Sequence, residues 1–255
     1  MSRLKIVAGN WKMNKDFEEG LSLASEIISM VETEAPSGVQ TILFPPFVHL
    51  HALASLAKGK HAIHVGGQDC SMHASGAYTG EIAASMLRSA GASHVLVGHS
   101  ERRQYHGERS SDGAAKIQQA LSAGLTPIYC VGETKEERLA GAFEEVIAAQ
   151  LQEGLGSLNE TQMGQVVIAY EPVWAIGTGL TASPEQAQEV HAMIRGWLRN
   201  HFSAHVANHT SILYGGSVNA GNAAALFAME DIDGGLVGGA SLKSRDFTDI
   251  VKANR

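Results

Sequence analysis

Glu171 is the residue whose surroundings in the sequence most directly suggest chemistry. The run Val166–Ala169 is continuously apolar, the pattern of a strand buried on both faces. It leads through Tyr170 to Glu171, and Pro172 then biases Glu171 away from helical dihedrals and ends the strand ladder. Next comes Val173-Trp174-Ala175-Ile176-Gly177-Thr178-Gly179-Leu180. These apolar side chains suit a cover over a site better than an ordinary surface loop, and Gly177 and Gly179 allow unusual dihedrals. Ser183-Pro184-Glu185-Gln186 then reads as a capping box with proline at the first helical position. A carboxylate at a strand end under an apolar lid is a candidate general base.

Other strand ends carry complementary groups. Asn10-Trp11-Lys12 follows the first apolar run. Alone it is an ordinary turn with a solvated lysine; beside Glu171, Lys12 becomes a point charge for an anionic substrate, with Asn10 to orient it or to donate an amide hydrogen bond. Val97-Gly98-His99-Ser100-Glu101 follows the fourth run. Any one of twelve histidines is more readily a surface residue, but His99 ends a buried run, and Ser100 is a candidate cap for a helix starting at Glu101. The positive potential of a helix N-terminus disfavours imidazolium. Glu101 reads both as a first-turn helix acid and as the partner that holds the Lys12 ammonium. Gly215-Gly216-Ser217 and Gly238-Gly239 follow the seventh and eighth runs, each opening toward a helix-like segment. Paired glycines at helix starts let backbone N–H groups converge on phosphate, with Ser217 adding a hydroxyl.

The elements that must position these groups alternate along the chain. Strand candidates are Lys5–Ala8, Thr41–Phe44, Ile63–Gly66, His94–Val97, Thr126–Val131, Val166–Ala169, Ser211–Tyr214 and Gly235–Val237. Amphipathic segments lie between most of them. One carries Phe17, Leu21, Ala24, Ile28 and Val31 at helical spacing after a candidate N-cap at Asn14. Another begins with the capping box Thr134–Glu137. Eight βα units in 255 residues imply an α/β fold, a closed (β/α)8 barrel forming one domain over residues 1–255. An open doubly wound sheet is the runner-up, and no Gly-x-Gly-x-x-Gly follows the first strand.

Composition narrows the function. The chain is 44% hydrophobic, enough for one sizeable core, and has no apolar run of about 18 residues that would span a membrane. Its start carries no signal-peptide pattern, and two cysteines, Cys70 and Cys130, make no disulfide framework, so a cytoplasmic location is expected. Cys130, in an apolar run, is expected to be buried and inert. A formal charge of −7 argues against a nucleic-acid partner, though not against a small anion in a cleft. Neither His-Glu-x-x-His nor Cys-x-x-Cys is present, and no His-x-x-x-His spacing is taken as a ligand pair, so no metal site is expected. The connection Gln68–Glu81 is longer than a simple turn and not low in complexity, which suggests an ordered functional loop.

Tyr170-Glu171-Pro172-Val173-Trp174-Ala175-Ile176-Gly177-Thr178-Gly179 resembles the base-and-lid signature of the triosephosphate isomerase family, and Gly9-Asn10-Trp11-Lys12-Met13-Asn14 matches that family's first strand end. The resemblance extends over about residues 3 to 253, with motifs in the family's order. It implies interconversion of dihydroxyacetone phosphate and D-glyceraldehyde 3-phosphate through an enediolate, without a cofactor. Glu171 would be the base, His99 and Lys12 would stabilise the enediolate, and Asn10 would bind substrate. Gly177, Ser217, Gly238 and Gly239 would hold the phosphate, with Glu101 and Thr79 in support. It also implies a homodimer through loop 68–81, matched by Gly76-Ala77-Tyr78-Thr79-Gly80-Glu81. The rivals are another phosphosugar barrel enzyme, such as an epimerase or a Schiff-base aldolase, and a catalytically inactive barrel used for binding.

Overall fold

The computed structural model describes residues 3–176 and 181–254. Eight parallel strands form a closed barrel in sequence order: β1 (Lys5–Asn10), β2 (Val39–Phe44), β3 (Ile63–Gly67), β4 (His94–Val97), β5 (Thr126–Val131), β6 (Val167–Tyr170), β7 (Ile212–Tyr214) and β8 (Gly234–Val237). Closure is the pairing of β1 with β8, in the register Ile6↔Gly234 to Gly9↔Val237. Each expected strand is present within two residues of its expected bounds. In β6 the ladder runs one residue further than the apolar run, through Tyr170, so Glu171 is the first residue beyond it.

Two apolar layers result from the alternation of side chains along each strand. Inward-facing Ile6, Ala8, Ile42, Phe44, Leu96, Ile128, Cys130, Val167, Ala169, Leu213 and Leu236 fill the barrel. Outward-facing residues such as Val7, Leu43, Val95, Tyr129 and Ile212 pack against the surrounding helices. Burying each large side chain contributes about 1.5–3 kcal/mol, which makes this double layer the main stabilising feature. Cys130 sits wholly inside the barrel, and burial pushes its thiol well above the ordinary range.

The helices start where their caps place them. Phe17–Glu34 buries Leu23, Ala24, Ile27, Ile28 and Val31 against the barrel. Its N-cap is Asp16, not Asn14: Asp16 and Glu19 form a reciprocal capping box, while the Asn14 amide donates to the Trp11 carbonyl. The boxes Thr134–Glu137 and Ser183–Gln186 form as the sequence predicts.

Two histidines in this frame make stability depend on pH. His94 opens β4 with its Nδ1 2.8 Å from the Ser93 hydroxyl, and the His64 ring lies 5.4 Å away. His191 is fully buried in the helix Pro184–His201. Burial lowers both from 6.5 to about 3, with neighbouring His64 adding to the effect at His94. Their folded pKa values lie below the unfolded ones, so the unfolded chain takes up protons first as pH falls. The stability these two groups contribute is therefore fully present above about pH 6.5 and is lost progressively as pH falls toward about 3. Urea unfolding at pH 7 and pH 5 should show this loss in the parent, and a smaller loss in a folded His191→Gln variant.

Candidate active site

The carboxyl ends of the strands surround a cavity of about 360 Å³ lined by Asn10, Lys12, His99, Glu171, Ser217 and Gly238, together with Gly216, Gly239 and Ile176. A second cavity of about 520 Å³ lies on the other side of Glu171, beside Arg103, Gly132 and Trp174. The first brings together a carboxylate, an imidazole, an ammonium and two glycine turns, and so has the convergent polar groups that chemistry requires.

Lys12 is held by its backbone as much as by its charge. It adopts a left-handed conformation, φ 52°, which is unfavourable for a residue with a Cβ. Three contacts offset that strain. The Lys12 N–H donates to Asn10 Oδ1 at 2.9 Å, and Gln68 Nε2 donates to the Lys12 carbonyl at 2.8 Å. Lys12 Nζ donates to Glu101 Oε1 at 2.6 Å. Asn10 thus shapes the turn that carries Lys12, and Glu101 restrains the ammonium. Gln68 also donates to the Phe44 carbonyl at 2.9 Å and ties the start of loop 68–81 to the ends of β1 and β2. Its position at a strand end is the signal that could have singled it out from the sequence.

His99 and Glu171 meet across 71 residues of chain. The helix Ser100–His106 starts one residue earlier than expected and is capped by His99, whose Nδ1 accepts from the Glu101 N–H at 3.2 Å. A ring nitrogen that accepts carries no proton, so the imidazole is neutral with its hydrogen on Nε2. That Nε2 lies 3.0 Å from Glu171 Oε1, and Glu171 Oε2 accepts from the Ser100 N–H at 2.8 Å. Glu171 itself is only 2% exposed. Its backbone N–H donates to the Val131 carbonyl at 2.7 Å, and a Cβ on Gly132 would stand 1.8 Å from the Glu171 carbonyl oxygen. Glycine at 132 is what lets the ends of β5 and β6 approach so closely.

The segment after Glu171 is fixed by a residue the sequence did not single out. Glu133 is fully buried, and its Oε1 accepts from Tyr170 Oη at 3.0 Å and from Trp174 Nε1 at 2.8 Å. Burial raises the Glu133 carboxyl, against the lowering effect of these donors. Trp174 is therefore half-buried and anchored, as are Val173 and Ile176 on a short 3-10 turn with buried Ala175. Gly177, with Thr178 and Gly179 of the expected lid, lies outside the described residues.

Beside Glu171, the Gly215 N–H donates to the Tyr170 carbonyl at 2.7 Å, which brings the glycine turn after β7 against β6. Gly216, Ser217, Gly238 and Gly239 all face the cavity. Gly239 begins a 3-10 turn to Leu242, and a Cβ there would meet nothing within 4 Å. The first N–H groups of such a turn lack partners within it and favour an anion. Ser241, fully buried, donates to the Gly238 carbonyl at 2.7 Å and reaches the Asn10 carbonyl at 3.3 Å, so the turn after β8 is clamped to the end of β1. Thr79 does not line the cavity; it lies in the exposed stretch Ala74–Glu81. The arrangement suits removal of a proton beside a carbonyl in a phosphorylated substrate, with a carboxylate and two glycine turns facing one cavity.

Sequence comparison agrees with this geometry. The family model described as Triosephosphate isomerase matches residues 5–254. A Triosephosphate isomerase of Cytophaga hutchinsonii is 53% identical over 251 residues, covering 98% of this chain and 99% of that protein. Proteins of the same name from Chloroherpeton thalassium and Paracidovorax citrulli are 51% and 50% identical, covering 98% and 99% of this chain and 99% of each relative.

Proposed function

The chain belongs to the triosephosphate isomerase family, and from that membership we propose a role for each residue around the cavity. The enzyme interconverts dihydroxyacetone phosphate and D-glyceraldehyde 3-phosphate. Glu171 removes a proton from the carbon beside the carbonyl and returns it to the neighbouring carbon. The observation that carries this assignment is the placement of Glu171, His99 and Lys12 around one cavity that two glycine turns also line. In the conformation described, both Glu171 oxygens are engaged by Ser100 and His99. Substrate must therefore take over the His99 Nε2–H, and the carboxylate must leave the Ser100 N–H to reach carbon. The neutral His99 ring then donates to the developing oxyanion and can pass a proton between the two substrate oxygens. Lys12 supplies positive charge to the same oxygen and to the phosphate, and Asn10 keeps it aimed. Gly216, Ser217, Gly238 and Gly239 cradle the phosphate. A coupled isomerase assay with each triose phosphate tests the activity, and borohydride trapping with substrate, expected to label no lysine, separates it from Schiff-base chemistry.

The whole chain acts as one domain in the cytoplasm, a location suited to a glycolytic enzyme. Among the described residues no helix is long and apolar enough to cross a membrane.

The active form is a homodimer. Met13 is 96% exposed, and Val48, Tyr78, Met86 and Tyr105 are also exposed, all in segments that follow or flank the first four strands. Loop 68–81 projects the exposed stretch Ala74–Glu81 from the same end and is tied to Lys12 through Gln68. A partner that seats this loop would therefore steady Lys12. Thr79→Arg should yield monomers of reduced turnover, read by sedimentation together with assay; a fully active monomeric parent would remove this proposal.

The lid prediction follows from the anchored start of its segment. Replacing Ile176–Thr178 by a tight connection should leave Glu171 in place and the fold intact, while exposing the enediolate to water. The intermediate should then lose phosphate, so the released methylglyoxal and inorganic phosphate per substrate consumed should rise. Clean isomerisation by the shortened protein would show that Val173–Gly179 is not a catalytic cover.

A further inference from the structure

We propose that His205 and His209 form a surface site for a divalent transition-metal ion, away from the isomerase cavity. The two residues stand four apart in the helix Ala204–His209, so they share one face of one turn. Both are exposed. Their ring centroids are 4.2 Å apart and their planes 33° from parallel. With metal–nitrogen bonds of about 2.0–2.1 Å, two imidazoles on one ion at roughly 90–110° have centroids about 4.5–5 Å apart. The rings need to spread by less than about 1 Å to admit an ion between them.

The turn is also built to hold the pair. His209 Nδ1 lies 2.7 Å from the His205 carbonyl oxygen and can only donate to it, which puts the ring hydrogen on Nδ1 and leaves the Nε2 lone pair directed elsewhere. A ligating histidine is oriented in this same way, by a carbonyl that accepts from its second nitrogen. Beneath the rings the turn is fastened on its buried side. Ser203 caps it by accepting from the Val206 N–H, and Val206 and Ala207 are buried. The Arg195 guanidinium donates to the Ala207 carbonyl at 2.6 Å and to the Thr210 carbonyl at 3.0 Å. The rings thus stand on a fixed backbone and face solvent.

Among the described residues no group of three or more His, Cys, Asp or Glu could hold an ion. Two nitrogens from the protein with water in the remaining positions make an open, exchangeable site. Imidazole donors and the affinity order of first-row metals favour Cu2+, then Ni2+ or Zn2+, over Mg2+ or Ca2+. The signal in the sequence is the spacing His205-Val206-Ala207-Asn208-His209, and a third histidine at the same interval, His201, does not join it. His201 stacks on Trp197 at 4.7 Å, and its Nε2 lies 3.2 Å from the Gly156 carbonyl oxygen.

The test uses the full-length protein, Cu2+ as the probe and two single variants. The parent should bind one equivalent of Cu2+ with the electron paramagnetic resonance signature of two imidazole nitrogens. His205→Ala and His209→Ala should each weaken that binding by about 10-fold or more and lose the two-nitrogen signature, whereas His201→Ala should retain both. Without metal, isomerase turnover should be the same in all four proteins, which controls for folding. Ni2+ should raise the thermal midpoint of the parent but not of the His209→Ala variant, because an ion that binds only the folded helix stabilises it. Parent-like Cu2+ affinity in either His205→Ala or His209→Ala, or loss of the site in His201→Ala, would overturn the proposal.

Discussion

Replacing Glu171 with glutamine is expected to lower kcat by at least about 10²–10⁴-fold, the range attributed to a positioned acid or base, with little change in the affinity for a phosphorylated substrate analogue. The substitution keeps the size of the side chain and removes its basicity. It also replaces an acceptor pair with one acceptor and one donor. The Ser100 N–H can still donate to the amide oxygen, and the amide nitrogen then faces His99 Nε2, which already carries the ring hydrogen. Two donors would oppose each other there unless the histidine changes tautomer, and the Glu101 N–H at Nδ1 resists that change. In the proposed roles the variant therefore loses the base and disturbs the ring that would serve the oxyanion. In the proposed roles the phosphate is held by Gly216, Ser217, Gly238 and Gly239, which the substitution leaves untouched, so its binding should survive. Steady-state kinetics with analogue binding by calorimetry decide the matter; a glutamine variant with parental kcat would remove Glu171 from the base role.

Replacing Lys12 with methionine is expected to raise KM and to lower kcat together, with a combined effect on kcat/KM of about 10²-fold or more. The ammonium faces an anionic ground state and a more negative transition state, so its removal weakens both. Two consequences of the geometry sharpen the expectation. Glu101 loses the partner at 2.6 Å and remains beside His99 Nδ1 at 3.7 Å, so a negative charge that was balanced now faces the site. The left-handed turn at residue 12 should persist, because Asn10 and Gln68 hold it through backbone atoms that methionine also has. Lost activity should therefore come without a large change in thermal stability. Unchanged KM and kcat would place the lysine outside the reaction; a collapse of stability would assign it a structural role.

Much of this molecule is legible in short stretches of sequence because its cues are local. A strand buried on both faces must be apolar throughout, so Thr126–Val131 and Val166–Ala169 announce themselves. Capping boxes need only four residues, so Thr134–Glu137 and Ser183–Gln186 can be placed without knowing what packs against them. Once strands and helices alternate, chemistry belongs at the carboxyl ends of the strands, and His99, Glu171 and the glycine pairs stand out by position, while Lys12 gains its meaning only beside Glu171. Asn14 and Ser100 are good cap residues by type, yet Asp16 and His99 do the capping, because theirs are the side chains that accept from the Glu19 and Glu101 N–H groups.

The tertiary structure decided what depends on groups far apart in the chain. No local pattern says that Ser100 and His99 would hold the Glu171 carboxylate, or that Gln68 would support the turn at Lys12. The tautomer of His99 follows from one backbone N–H directed at Nδ1, a matter of angstroms that composition does not carry. Glu133 is the clearest instance. In the sequence it is one more acidic residue before a helix, whereas in the fold it is buried and receives hydrogen bonds from Tyr170 and Trp174, 37 and 41 residues further on. Sequence patterns report which residues leave water, since hydrophobic burial is roughly additive and needs no direction. Hydrogen bonds and ion pairs require distance and angle, and only the closed barrel supplies those.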